Sequence, residues 1–291
     1  MRLEFVVPPE QDGRKLKSCV RSYKGLSASL WKRIKWDGRV TINGTANYNA
    51  NVILHAGDHV VCEWDEKTDI IPSDIGLDIL YEDEFLLVIN KPIGMLIHPT
   101  SRHGADTLVN AVAGYFAREH KEGGIHPVFR LDRNTTGTVV VAKSGRIQHA
   151  LSGSHDRIYR EYLALATGNF PSDSGFIDRP IGRKEGSIVE WTVRDDGKPA
   201  RTEFTVLERK TGFTVLKLHL LTGRTHQIRV HLSYLGHPLL GDDLYGGDCS
   251  RMKRQALHAR SVRFIHPETG EELRFEAPVP EDMKSVMDEE N

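Results

Sequence analysis

The run Thr138-Val139-Val140-Val141-Ala142 is too apolar to lie at a surface, and the chain enters it through Arg130-Leu131-Asp132-Arg133-Asn134-Thr135-Thr136-Gly137. A short, β-branched, wholly apolar run reads as a strand buried on both faces. The polar turn before it, closed by a glycine, therefore carries Asp132 toward the interior or into a cleft. A carboxylate removed from water costs several kcal/mol unless it is paired. Taken alone, this stretch has a bland explanation: an ion pair at the edge of the core with a nearby arginine. Two further stretches decide between that and chemistry.

Composition narrows the class first. The chain has 291 residues, 39% apolar and 27% charged, enough for one large domain or a large one with a small companion. No apolar run approaches the ~20 residues of a membrane span. The start, Met1-Arg2-Leu3-Glu4-Phe5-Val6-Val7-Pro8-Pro9, has no signal-peptide core. Cys19, Cys62 and Cys249 lie far apart and form no CxxC pair, so a reducing, cytoplasmic setting is expected. His226 and His231 are spaced differently from HExxH, and no metal site is expected. The net charge of −1 says little about partners. The position of the charges says more.

Between Asp12 and Asp37 there is no acid. Arg14, Lys15, Lys17, Arg21, Lys24, Lys32, Arg33 and Lys35 lie there, with Trp31 and Trp36 among them. Leu16, Cys19, Val20 and Tyr23 form one face of a helix that Asp12 caps and Gly25 ends. A second helix runs from a Ser27 cap to Gly38, with Leu30 and Ile34 inward. Strands at 40–42, 52–54 and 59–64 complete the module, with a tight turn at Asn43-Gly44. Surface helices normally mix signs; a stripe of one sign points to a polyanion, contacted through Arg14, Lys17, Arg21, Lys32, Arg33 and Lys35.

Residues 67–75 are polar, contain Pro72 and read as a linker. Beyond them come a strand at 85–89, a turn at Asn90-Lys91-Pro92-Ile93-Gly94, and a helix from Thr107 to about 118. A helix at 145–151 and a strand at 157–166 follow. Hairpins then dominate: 188–194 with 200–208, 213–221 after Thr211-Gly212, and 261–265 with 273–275. Mostly antiparallel strands with a few helices make an α+β fold: a mixed, mainly antiparallel sheet with flanking helices, preceded by the small helix-helix-strand module. The expected divisions are 1–66, 67–75, 76–282 and a polar acidic tail, 283–291. From Glu281 onward the chain reads as plain surface.

The second informative stretch is Leu221-Thr222-Gly223-Arg224-Thr225-His226-Gln227-Ile228-Arg229-Val230-His231-Leu232. It leaves a strand and opens a helix, a place where backbone N–H groups and the positive helix end attract anions. Ile228, Leu232 and Leu235 should face the core and Arg229 the boundary between core and cleft. Arg224 and His226, with Lys91 and Arg133 from the earlier motifs, are candidates for phosphate contact. The bland alternative is an ordinary helix surface.

In this order, Asn90-Lys91-Pro92-Ile93-Gly94-Met95-Leu96-Ile97-His98-Pro99, Arg130-Leu131-Asp132-Arg133-Asn134-Thr135-Thr136-Gly137 and Gly223-Arg224-Thr225-His226-Gln227-Ile228-Arg229-Val230-His231 resemble the pseudouridine synthases of the RluA/RluD type. Leu257-His258-Ala259, His266-Pro267 and Ala277-Pro278-Val279-Pro280 resemble that family's closing signature, so the likeness spans about 76–282. Residues 12–65 resemble the S4 RNA-binding domain, which implies binding to structured RNA, read by shape and phosphate. Phe129 stands where the family commonly has His, and Arg160 where it often has Lys.

The resemblance implies an isomerase that needs no cofactor or metal. It implies Asp132 as the essential acid, Arg229 as its ion-pair partner and Tyr162 as the active-site tyrosine, stacking on uracil or assisting proton removal. It implies that Arg130 fills the space left by an extruded base. Whether Asp132 attacks as a nucleophile or takes a proton from the ribose stays open. A guanidinium can grip a carboxylate with two hydrogen bonds. The S4-like module favours large-subunit ribosomal RNA over transfer RNA as substrate, and a monomer is expected. Two other readings compete: a non-catalytic RNA-binding protein, and a nucleoside or glycoside hydrolase. The hydrolase lacks a second carboxylate at a recognisable position.

Overall fold

The N-terminal stretch, to which the sequence pattern assigned no element, is a strand: β1 (Arg2–Val6) alternates exposed and buried residues. The computed structural model describes residues 1–66, 69–100, 103–152 and 158–289. After β1 come the helical turn α1 (Leu16–Ser18), which widens into a π-helical turn at Cys19–Tyr23, and α2 (Ala28–Asp37). β2 (Arg39–Ile42), β3 (Thr45–Ala46) and β4 (His59–Glu63) follow. The four strands form an antiparallel sheet in the order β1-β4-β2-β3. Leu16, Cys19, Val20, Leu30, Trp31 and Ile34 pack on Leu3, Phe5, Val60 and Cys62 to make a core of their own. Asn43 and Gly44 both take positive φ, as the tight turn requires.

Three local expectations are corrected. Asp12 does not cap the first helix; its carboxylate accepts from the Ala56 amide, and Lys15 holds the cap position. Residues 52–54 form no strand: they run extended beside the start of α1, through Leu16 N to Val52 O and Leu54 N to Arg14 O. Tyr23 is 40% exposed, because the wider π turn rotates it off the buried face, where it meets Phe5 edge-on. Ser27 caps α2 as expected, its hydroxyl accepting from Leu30 N.

The larger sheet begins with β5 (Ile79–Glu82) and β6 (Leu86–Lys91). Next are α3 (Leu108–Arg118), capped by Thr107, then β7 (His126–Pro127), β8 (Thr136–Ala142) and α4 (Gly145–Ser152). β9 (Ile158–Thr167), β10 (Ser174–Asp178), β11 (Ile181–Arg183) and β12 (Trp191–Val193) follow. The chain continues through β13 (Arg201–Lys210), β14 (Phe213–Leu220) and α5 (Gln227–Tyr234) to β15 (Leu257–Ile265), β16 (Glu272–Glu276) and α6 (Glu281–Met287). The sheet order is β10-β13-β14-β9-β15-β8-β6-β5, with β16 on β15 and β7 on β8. Among the described residues β15 and β8 form its one parallel pair. The α+β reading with a mixed, mainly antiparallel sheet is what the chain forms. All seven residues of β8 are buried at the middle of the sheet, as its apolar run demanded.

The expected hairpin of 188–194 with 200–208 does not form. Its turn exists, with Gly197 N bonded to Arg194 O, but β12 pairs with β11, and Ile181 and Lys198 exchange backbone hydrogen bonds. β11 thus takes the partner's place, and β13 pairs with β10 and β14 instead. The strand expected from 157 starts within the described residues at Ile158; Arg157 itself lies outside them, as do 67–68 of the expected linker and 290–291 of the tail. The rest of that linker is held on α3: Asn110 Nδ2 donates to Ile71 O, and Ser73 N donates to Asn110 O. Gly114 makes this possible, since a Cβ there would lie 1.8 Å from Ser73 O. From Glu281 the chain is not plain surface either, because α6 buries Met283 and Val286 against Phe213 and Leu165.

Candidate active site

Asp132 sits on the turn between β7 and β8, at the entry to the most buried strand. Its own carbonyl accepts from Thr135 N, closing the turn. The following carbonyls are held by cations: Lys91 Nζ donates to Arg133 O, and Arg254 Nη1 donates to Asn134 O. Gln255 Nε2 reaches the Thr135 hydroxyl. Gly137 is required because its φ is +109° and a Cβ would lie 2.2 Å from Ala259 O on β15. The turn is thus fixed by these bonds, and the Asp132 side chain is left 25% exposed.

Lys91 was expected to contact phosphate. Instead it is wholly buried at the end of β6, with its ammonium on the carbonyls of Pro92, Met95 and Arg133. Burial pulls its pKa down to about 7, with the Asp132 charge opposing that shift and Arg254 adding to it. Its three donors are spent on the backbone, so it shapes the turn and does not reach the surface.

Arg229, on the first turn of α5, meets Asp132 as the motifs imply, with Nη1 3.3 Å from Oδ2. The expected two-bond grip goes elsewhere. Nε and Nη2 both donate at 2.8 Å to the carboxylate of Asp242, whose side chain is fully buried. Burial works against the charge on Arg229, but the bonds and charges of Asp242, then Asp132, hold its pKa above the ordinary value. The Tyr245 ring lies under the guanidinium at 4.9 Å. Asp242 and Tyr245 belong to Gly241-Asp242-Asp243-Leu244-Tyr245-Gly246-Gly247, a segment the motif reading passed over. Its glycine spacing was the available signal: a Cβ on Gly241 or Gly247 would strike the carbonyl of Arg254 or Leu239 at 2.0 or 1.9 Å.

His226 precedes α5 with φ +56°, a left-handed conformation that costs a non-glycine residue energy and needs support. Buried Gln227 supplies it, accepting from the Thr222 hydroxyl and Arg224 N and donating to Arg201 O and the Thr202 hydroxyl. The result turns the His226 ring toward Asp132, with Nδ1 2.8 Å from the Tyr245 hydroxyl and Nε2 3.9 Å from Asp132 Oδ1. Burial holds His226 below the usual histidine range, against the pull of Asp132. His231 is instead spent on the Thr202 hydroxyl and Arg179 O. Leu235 was expected in the core but lies past the end of α5 and is exposed, because Gly236 at positive φ ends the helical path.

Tyr162, on β9 opposite Leu218 and Ala259, is 3% exposed. Stacking on a uracil requires ring surface that this arrangement covers. Burial pushes its pKa up, while Arg160 lowers it by charge and by a hydrogen bond and Asp132 raises it. Arg160 also lies over the ring of Phe129 at 5.2 Å, so the two departures from the family pattern pack on each other. Arg130 is exposed, and partial burial together with its charge keeps His98 below the usual histidine range. Arg133 is exposed and donates to Gly94 O; half-buried Arg224 donates to Pro199 O.

The basic stripe resolves into two groups. Lys17, Arg21, Lys32 and Lys35 converge on one concave face of α1 and α2, and Arg14 is exposed before α1. Arg33 points the other way, to Glu66 at 2.8 Å. Glu66 also accepts from Trp64 Nε1 and Gly145 N and sits 3.2 Å from His126 Nε2, joining α2 to the large sheet. Burial alone would raise its pKa, but His126, Trp64 and Arg33 bring it down to about 2.

Residues 85–234, which include the Asp132 turn and the start of α5, match the RNA pseudouridylate synthase family model. The RNA pseudouridine synthase YjbO of Bacillus subtilis (strain 168) is 40% identical over 92% of this chain and 96% of its own. The ribosomal large subunit pseudouridine synthase D of Vibrio vulnificus (strain CMCP6) is 39% identical over 99% of this chain and 94% of its own. Human RNA pseudouridylate synthase domain containing 1 superposes with a TM-score of 0.55 at 30% identity, covering 70% of this chain and 83% of that one. Fold and family define an enzyme that acts on RNA. The chain belongs to the RNA pseudouridylate synthase family, and it is an isomerase.

Proposed function

We propose that this chain converts uridine to pseudouridine in large-subunit ribosomal RNA, with Asp132 as the essential group and residues 1–66 as an S4-like RNA-binding module. The observation that carries the catalytic part is the meeting of Asp132 and Arg229, brought together from segments 97 residues apart. Ribosomal RNA is supported by the name of the Vibrio vulnificus relative, and the cytoplasm follows as the place of work.

Asp132 Oδ2 is held by Arg229, while the ion-pair partner found for Oδ1 among the described residues is His226, at 3.9 Å. Oδ1 is therefore the oxygen that faces the ribose, as nucleophile or as proton acceptor. An aspartate is already ionised at neutral pH. What the site adds is orientation, by a turn locked at three successive residues. Tyr162, already protonated at neutral pH and with its pKa pushed further up by burial, carries a hydroxyl rather than a phenolate. Arg130, which is exposed, is the candidate to occupy the gap that an extruded uridine leaves in the RNA. Arg133 and Arg224 are candidates for phosphate contact.

The test is release of tritium from ribosomal RNA labelled at carbon 5 of uridine, with the chain length of the RNA checked afterwards. The wild type should release label and leave the RNA intact. Asp132→Asn should release less than a hundredth as much, on the order expected when a catalytic group is lost, with RNA affinity nearly unchanged. A variant keeping a tenth of wild-type turnover would remove Asp132 from the mechanism. Mapping pseudouridines in cells with and without the protein identifies the substrate; sites confined to transfer RNA would overturn the ribosomal assignment.

A further inference from the structure

We propose that the concave face of α1 and α2 binds an unpaired nucleotide of the RNA, its base stacked on Trp36 and its neighbouring phosphates held by Lys17, Arg21, Lys32 and Lys35. This rests on the reading of residues 1–66 as an RNA-binding module and adds what that module selects.

Trp31 and Trp64 are each 5% exposed and pack in the N-terminal core, whereas Trp36 is 73% exposed and sits outside that core. A large indole left in water gives the fold little, and Lys35 Nζ lies 5.9 Å from the ring centre, close enough to hold a phosphate beside a stacked base. Two adjoining hollows, of about 250 and 500 Å³, share Lys17 and Arg21, and among the described residues no Asp or Glu lines either. The smaller holds Trp36 with Lys32 and Lys35; the larger reaches exposed His149 on α4. A cationic path thus runs from the indole toward the large sheet. Tyr48, 86% exposed, lines a neighbouring hollow with Lys35 and offers a second ring.

Lysines and arginines alone would suit a duplex as well as a single strand. The indole decides between them. A duplex keeps its base faces inside its own stack, while an unpaired base presents a face to any aromatic ring. Cations along a groove with an exposed ring among them are the arrangement by which proteins hold single strands.

The experiment is a titration of the full chain, followed by tryptophan fluorescence and repeated over a range of salt. It uses a blunt RNA hairpin and the same hairpin with a short single-stranded tail. Trp36→Leu should weaken binding of the tailed hairpin about tenfold, the usual scale for one lost stack. It should leave the blunt hairpin and the salt slope unchanged, and Trp36→Phe should keep most of the affinity. Lys17→Ala with Arg21→Ala should weaken both RNAs and make the salt slope shallower. If the double variant weakens both RNAs but Trp36→Leu changes nothing, or changes both equally, the stacking role is overturned and the module's RNA binding stands. If the double variant too has no effect, the RNA-binding reading of residues 1–66 falls with it. Displacement of the tailed hairpin by polyglutamate as readily as by RNA of equal charge would reassign the face to an acidic protein.

Discussion

Asp132 and Arg229 could be paired from the sequence because each lies in a contiguous motif. The identity of the residue that grips Arg229 could not. Asp242 is only 13 positions further on, yet the contact exists only because Gly241 and Gly247 fold that segment against the carbonyls of Arg254 and Leu239. By taking two bonds of the guanidinium, Asp242 leaves Asp132 with one long bond and a freer Oδ1. Asp242→Asn removes a buried countercharge, and breaking such a pair costs about 3 kcal/mol, to be read as a lower urea midpoint. Arg229 can then swing onto Asp132, and a misplacement of that size lowers turnover roughly a hundredfold. Tritium release at unchanged RNA affinity measures it. Lys91 shows the opposite failure of sequence reading: lysines are rarely buried, and nothing local to Asn90-Lys91-Pro92 announces three carbonyls gathered from two loops.

At the scale of elements, legibility followed the range of the interaction that fixes each one. α2, α3 and the hairpin of β15 with β16 are set by caps, periodicity and turns, all within a few residues, and they stand where expected. β12 was assigned the wrong partner because a turn at 195–198 specifies a reversal but not which strand lies alongside afterwards. The segment before β5 reads as free chain in the sequence because its attachment depends on a missing side chain, that of Gly114. Alanine normally stabilises a helix by about 1 kcal/mol relative to glycine. At Gly114 the added methyl would meet Ser73 O at 1.8 Å, and backbone must move. Gly114→Ala should therefore destabilise by about 2 kcal/mol, a typical cost of overpacking. Urea unfolding gives the sign directly, and a gain in stability would show that residues 69–75 yield freely.

For the whole molecule, Glu66 ties the N-terminal sheet to the large one through Arg33, His126, Trp64 and Gly145. Its pKa falls from the ordinary 4.5 to about 2 in the folded chain. A carboxylate shifted downward stabilises fully above its unfolded value and loses that contribution as pH drops through the folded one. The junction should thus weaken between pH 4.5 and about 2, by about 3 kcal/mol. Glu66→Gln should remove that part of the acid dependence, and hydrogen exchange at Gly145 N in both proteins would show it. The sequence by itself determined the family motifs, the α+β class, the buried central strand and the basic helices, because each is written in neighbouring residues. The tertiary structure alone decided which carboxylate grips Arg229, that Lys91 is buried, that Arg33 leaves the stripe and that Trp36 stays in water. Those outcomes depend on close approach between distant segments, where a glycine's missing side chain or a burial can redirect a charge that no local pattern constrains.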